Sequence, residues 1–203
     1  INVFFRLQPN YIETLSIENV LDRLQSLNET RIKFNETMNS SSTIFEKLIE
    51  YASEHFEEFD KEKIKKLPNE IIEEIIKNEN HKLNEEDSLI EFILTLYKED
   101  HSTSNLFEYV LFYNLSEEKM KTFLEEIEFE YINNKTFRSI CKRFFQKENS
   151  DSLNTKRYIN TNTNIQQFKP KQTEDFEGIM NYLTKKTGGN IERRKLMKSA
   201  EFN

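Results

Sequence analysis

The side chains that could do chemistry are few and scattered. Three histidines, His55, His81 and His101, lie in three different segments, and no two of them share metal-ligand spacing on a helix. Cys141 is the single cysteine and has no histidine near it in the chain. The spacing therefore predicts no zinc site. Acidic clusters at Glu73-Glu74, Glu85-Glu86-Asp87 and Glu125-Glu126 invite a paired-carboxylate reading. General acid–base work needs two carboxyls converging in one cleft with separated pKa values. Adjacent positions on a helix point roughly 100° apart, so these acids read as solvated faces or as charges at helix N-termini. A calcium loop needs alternating acids around a central glycine, and a nucleophile elbow needs a serine flanked by glycines. Neither occurs. All 3 glycines lie at or after Gly178, which excludes glycine fingerprints and phosphate-cradling loops from residues 1–177. The expectation is a chain with no catalytic residue, no cofactor site and no metal site. Cys141 reads as a small core residue, and the 17 Phe and 8 Tyr as core side chains at helical spacing.

The elements that carry these residues are helices. Lack of glycine disfavours tight hairpins, and the apolar residues recur at i, i+3, i+4 and i+7. After a short apolar piece, Val3-Phe4-Phe5-Arg6-Leu7, a helix capped by Ser16 carries Ile17, Val20, Leu21, Leu24 and Leu27. A weaker one carries Ile32, Phe34 and Met38. Thr43 and Glu46 stand at capping-box spacing ahead of Ile44, Phe45, Leu48, Ala52, Phe56 and Phe59. Leu67-Pro68 stops one helix and starts the next, with Ile71, Ile72, Ile75 and Ile76 as its buried face. Asn84 caps a helix with Leu89, Phe92, Ile93, Leu96 and Tyr97; a polar loop follows over 99–104. Then come Leu106, Phe107, Val110 and Leu111, a helix opened by Ser116 with Met120, Phe123, Leu124 and Ile127, and one opened by Asn133 or Asn134 with Phe137, Ile140, Cys141, Phe144 and Phe145. Each stripe needs a neighbour to cover it, so the fold class is all-α, with stacked amphipathic helix pairs over 16–146. Residues beyond 147 lose the pattern and read as a linker, before a final helix near 173–187 and a basic, aperiodic end.

The net charge is 29 − 36 = −7, unevenly placed: 151–203 hold 10 basic and 6 acidic residues, the first 150 hold 19 and 30. An acidic globular part repels phosphate backbones, so nucleic acid is not an expected partner. No run of 18 apolar residues exists, so no membrane span is expected. The lone cysteine fits a reducing, intracellular and cytoplasmic setting. The chain opens on Ile1-Asn2-Val3 rather than methionine, which reads as a fragment or processed product. Glycosylation motifs start at Asn28, Asn35, Asn39, Asn114 and Asn134, several of them inside helical periods, and are read as chance matches.

In order and spacing, residues 48–145 resemble a BACK domain, the helical module that follows a BTB domain in BTB-type adaptor proteins. Tyr51-Ala52-Ser53-Glu54-His55-Phe56, Leu67-Pro68 with its four isoleucines, and Leu83-Asn84-Glu85-Glu86-Asp87-Ser88-Leu89 resemble its first half. Leu106-Phe107-Glu108-Tyr109-Val110 and Phe112-x-x-Leu115-Ser116 resemble its second. Phe168-x-Pro170, the Phe176–Leu183 stretch and Gly188-Gly189-Asn190-Ile191 resemble the opening of a discoidin-like module found in some BTB–BACK proteins of protists. The resemblance implies residues 1–41 as a BTB remnant with linking helices, 42–146 as the BACK-like domain, 147–172 as linker, and 173–203 as a helix and basic tail, disordered or partly helical, truncated from a downstream module. It implies a non-catalytic adaptor with protein partners: an unidentified target, and a cullin scaffold of a ubiquitin ligase reached through a BTB-containing parent. Homodimerisation would come only through that BTB domain. The alternative is a helical scaffold unrelated to ubiquitin ligases, whose basic tail contacts an anionic partner.

Overall fold

The computed structural model describes residues 15–34, 42–145, 157–159 and 178. The short apolar piece before Pro9, Met38, most of the final helix near 173–187 and the basic end lie outside the described residues; Gly178 is helical. The fold is all-α. Seven α-helices form among the described residues: α1 (Val20–Phe34), α2 (Ser42–Glu54), α3 (Lys61–Ile64), α4 (Asn69–Lys77), α5 (Glu86–Glu99), α6 (Glu117–Glu126) and α7 (Asn134–Phe145). Short 3₁₀ segments at Phe56–Glu58, Phe112–Asn114 and Phe129–Tyr131, and a long one at His101–Tyr109, join them. The chain divides into two compact units, Ile1–Lys82 and Leu83–Asn203.

In the first unit α1 packs on α2 and α2 on α4. Ser16 begins a turn rather than a helix: Asn19 N–H and Val20 N–H both donate to Ser16 O at 3.1 Å, and α1 follows. No proline or glycine interrupts 20–34, and Thr30 Oγ1 donates to Ser26 O at 2.8 Å. The two helices expected here are therefore one through Phe34. α2 starts at Ser42, which puts Thr43 inside the helix rather than at its cap. Val20 and Leu24, then Leu48, Ile49 and Ala52, then the four isoleucines of α4 are buried. Pro68 stands at the N-cap of α4, where its carbonyl accepts from Ile71 N–H at 2.9 Å and Ile72 N–H at 3.1 Å. A residue without an N–H loses nothing at such a site. Ser53, fully buried, ties α2 to α4: its hydroxyl lies 2.6 Å from Ile49 O and 2.9 Å from Ile75 O, and the one proton is shared between them.

In the second unit α5 packs on α6 and on the His101–Tyr109 segment, and α7 packs on that segment and on the Phe112–Asn114 turn. The stretch expected as a polar loop is the start of the 3₁₀ helix. Asp100 holds it, accepting Ser102 N–H at 2.9 Å and the Ser102 hydroxyl at 2.7 Å, while the Thr103 hydroxyl donates to Asp100 O at 2.8 Å. In a 3₁₀ helix residues three apart eclipse each other; Thr103 and Leu106, then Phe107 and Val110, are the buried pairs. Around them Phe107 and Phe112 each meet Phe123 edge-on, at 5.1 and 4.8 Å between ring centroids. Such aromatic pairs add roughly 0.5–1.5 kcal/mol each beyond the area they bury. Ser116 caps α6 by accepting Lys119 N–H at 3.2 Å, and Asn133 caps α7 by accepting Lys135 and Thr136 N–H, both at 3.0 Å. Ser116 is the cap the sequence predicts and Asn133 one of the two it offers for α7, whereas the N-cap of α5 is Glu85 rather than the expected Asn84.

Candidate functional site

Among the described residues the most concentrated chemistry surrounds Glu86, the first residue of α5. Its side chain is 1% exposed. That overturns its expected place among solvated acids at a helix N-terminus. Helical spacing explains the burial: Glu86, Leu89, Ile90, Ile93 and Tyr97 share one face, and the other four are buried apolar or aromatic side chains. A carboxylate in such a place must be paired and hydrogen-bonded. Oε1 accepts the Leu111 N–H at 2.7 Å and lies 3.5 Å from Arg157 Nη2. Oε2 accepts the Tyr158 hydroxyl at 2.8 Å. That hydroxyl in turn accepts Asn114 Nδ2–H at 2.6 Å.

Arg157, Tyr158 and Ile159 reach this site as a short extended piece. Leu83 N–H donates to Arg157 O at 2.8 Å, and Ile159 N–H donates to Leu83 O at 2.9 Å, a parallel β-bridge of Leu83 with Tyr158. Arg157 Nη1 donates to Tyr109 O at 2.9 Å. Tyr158 is buried, and burial and the Glu86 charge push its hydroxyl far above the usual phenol range. The same causes raise Tyr113 nearby. So three residues within the expected linker are anchored to the helical unit. Asn114, one of the glycosylation-motif asparagines, has its amide committed to this network.

A second buried charge works the same way. Arg143 on α7 is 4% exposed, and its Nη1 donates to Phe112 O and Leu115 O, both at 2.7 Å. Burial lowers its pKa to about 10 against the pull of Glu117 and Asp87. Asp87 beside it on α5 accepts Ser116 N–H at 2.9 Å. Glu86 and Arg143 thus both hold the main chain between residues 109 and 116, one from each side of the sequence.

The residues first considered for chemistry go elsewhere. His55 pairs with Glu58 at 2.5 Å and lies against Tyr51; His81 lies against Phe56 at 4.7 Å; His101 stacks on Tyr97 at 4.5 Å and meets Tyr131 edge-on. Cys141 packs with Phe137 and Ile132, and burial pushes its thiol up to about 11. Among the described residues no three His, Cys, Asp or Glu side chains gather so as to hold a metal ion. Glu73 and Glu74 on α4 are half-buried, with Glu74 paired to Lys77 at 2.5 Å. Glu126 on α6 pairs with Lys98 at 2.8 Å, and Glu125 with Lys121 at 3.8 Å. No helix among the described residues is long and apolar enough to cross a membrane. No protein-family model, no curated protein and no solved structure matches the chain.

Sequence reasoning missed Glu86, Asn114, Arg143, Arg157 and Tyr158. For Glu86 a signal is there, because its charge falls on the apolar stripe of its own helix; Arg143 lies beside its stripe, three residues after Ile140. For Tyr158 the signal is thinner, one aromatic residue and an isoleucine in a run of Ser, Asn, Thr and Lys.

Proposed function

We propose that the chain is a non-catalytic protein-interaction module that works as a rigid adaptor, resembling the BACK region of BTB-type substrate adaptors of cullin ubiquitin ligases. The observation that carries it is the use made of buried charge. Glu86 and Arg143 engage main-chain groups and neighbouring side chains that lie 25 to 72 residues away in sequence. Groups so engaged fix segments against one another. An adaptor needs that stiffness, because it holds two partners at a set geometry.

The resemblance lends support in its order. The Tyr51–Phe56 stretch closes α2, Leu67-Pro68 forms the corner before α4, the acidic Leu83–Leu89 stretch opens α5, and Phe112-x-x-Leu115-Ser116 leads into α6. Fold likeness alone does not establish function, so the test is binding. Calorimetry at one salt concentration would compare this chain, and a natural longer chain in which a BTB domain precedes it, against a purified cullin N-terminal region. Specific interfaces usually bury at least about 1,000 Å², and the main BTB surface would be missing from the short chain. Measurable binding by the longer chain and weak or no binding by the short one is expected. Silence from both would discard the ligase reading and leave a helical scaffold.

A further inference from the structure

We infer that the surface formed by Leu83, Glu86, Leu111 and Asn114 is a recognition site for an extended peptide bearing an Arg-Tyr pair, and that residues 157–159 are its resident ligand. Four features make this a binding site rather than a chance contact. The main chain of the segment is read by Leu83 through two hydrogen bonds in strand-addition geometry, at 2.8 and 2.9 Å. This is the way sheet edges take extended peptides, with backbone bonds supplying affinity and a side-chain pocket supplying specificity. The tyrosine ring is buried, and its hydroxyl is met on both sides of its hydrogen-bonding capacity: the Glu86 carboxylate accepts from it and the Asn114 amide donates to it. The preceding arginine places one nitrogen on Tyr109 O and another 3.5 Å from Glu86. Lastly, Glu86 is oriented independently of the ligand, by Leu111 N–H at 2.7 Å.

The selectivity follows from these partners. Phenylalanine would fill the ring site but leave Glu86 Oε2 and Asn114 Nδ2 unpaired inside the fold, which is the costly case for buried polar groups. A phosphorylated tyrosine would place a dianion against a buried carboxylate, so like-charge repulsion and desolvation oppose it. The site is thus a reader of unmodified tyrosine. Phosphorylation of Tyr158 while the segment is undocked would keep it from rebinding and leave the site open to the same sequence offered in trans.

The test uses the full chain and a fluorescent peptide of the sequence Ser152–Asn164. The 203-residue chain carrying Tyr158→Ala, checked for wild-type helical signal by far-UV circular dichroism, should bind the peptide in fluorescence anisotropy. Wild type, whose own segment competes, should bind it at least tenfold more weakly. The Tyr→Phe peptide should lose roughly tenfold to a hundredfold, the range for a hydrogen bond to a charged group, and the phosphotyrosine peptide should not bind. If Tyr158→Ala loses helical signal, Tyr158→Phe keeps the ring and replaces it, with the same ranking of the three peptides expected. Absence of binding to a folded variant, equal binding to variant and wild type, or tighter binding of the phosphotyrosine peptide would each overturn the assignment.

Discussion

The Tyr158 hydroxyl donates to Glu86 Oε2 at 2.8 Å, although the two residues stand 72 positions apart. That bond joins the start of α5 to a segment beyond α7, and it sits in a carboxylate site whose partners come from two other stretches of the second unit, Leu111 with Asn114 and Arg157 with Tyr158. Removing the carboxylate leaves Arg157 without its ion pair and Leu111 N–H without its acceptor. Glu86→Ala should therefore cost about 3–5 kcal/mol, the range for breaking a buried pair from one side. Glu86→Gln keeps an acceptor and the shape and should cost about half as much. Urea midpoints of the two variants check this; equal, small losses would mean that the network is dispensable.

Arg143 makes a comparable claim on α7. Arg143→Met keeps the aliphatic stem and strips the guanidinium from both carbonyls; Phe112 O still accepts Leu115 N–H at 3.3 Å, and Leu115 O loses its partner. At roughly 1–3 kcal/mol for an orphaned buried acceptor, a loss of about 1–3 kcal/mol is expected. The check is again chemical denaturation, with the tyrosine environment followed by near-ultraviolet circular dichroism.

Cys141 sets an alkaline limit. Its folded pKa is raised by burial to about 11 from an ordinary value of 9.0. Between those values the unfolded thiol has lost its proton and the folded one has not, so the native state binds more protons and stability falls as pH rises. The loss should reach at most about 2–3 kcal/mol by pH 11, at roughly 1.4 kcal/mol per pH unit. Cys141→Ala should flatten that slope. Alkylation by iodoacetamide at pH 8 should be slow in the folded protein and fast in urea; equal rates would contradict the burial.

Pro68 and Ile75 test the corner before α4. Pro68→Ala should change stability little, since Pro68 supplies only its carbonyl to Ile71 and Ile72. Ile75→Ala removes a side chain that is 1% exposed and should cost about 2–5 kcal/mol. Urea midpoints ranked the other way would show that α4 faces differently.

What the sequence could reveal was whatever depends on local period and cap chemistry. The stripes of α4, α5 and α6, the Ser116 and Asn133 caps and the Leu67-Pro68 corner all follow from neighbours within four residues. The misplaced features depend on bonds that no hydrophobic period displays, local polar ones in the first case and distant ones in the second. The 99–104 stretch looks like a loop because its side chains are polar, yet Asp100 uses that polarity to wind a 3₁₀ helix. Glu86 looks like a helix-dipole charge because two acids flank it, and only Tyr158, Arg157 and Leu111, all far along the chain, show why it is buried. Tyr158 itself lies in a run without any period, and a single side chain docked by an isolated bridge leaves no repeat to read.

The stiffness attributed to these buried charges is most directly measured by native-state hydrogen exchange at the Leu111 amide. Its proton is held by Glu86 Oε1 at 2.7 Å, outside any regular helix ladder. If the network makes the second unit rigid, that amide should exchange only by global unfolding, with an opening free energy equal to that of the buried α5 amides, and Glu86→Gln should lower both together. Exchange of Leu111 within seconds at neutral pH, while α5 stays protected, would show a network that opens locally and would contradict the rigid adaptor.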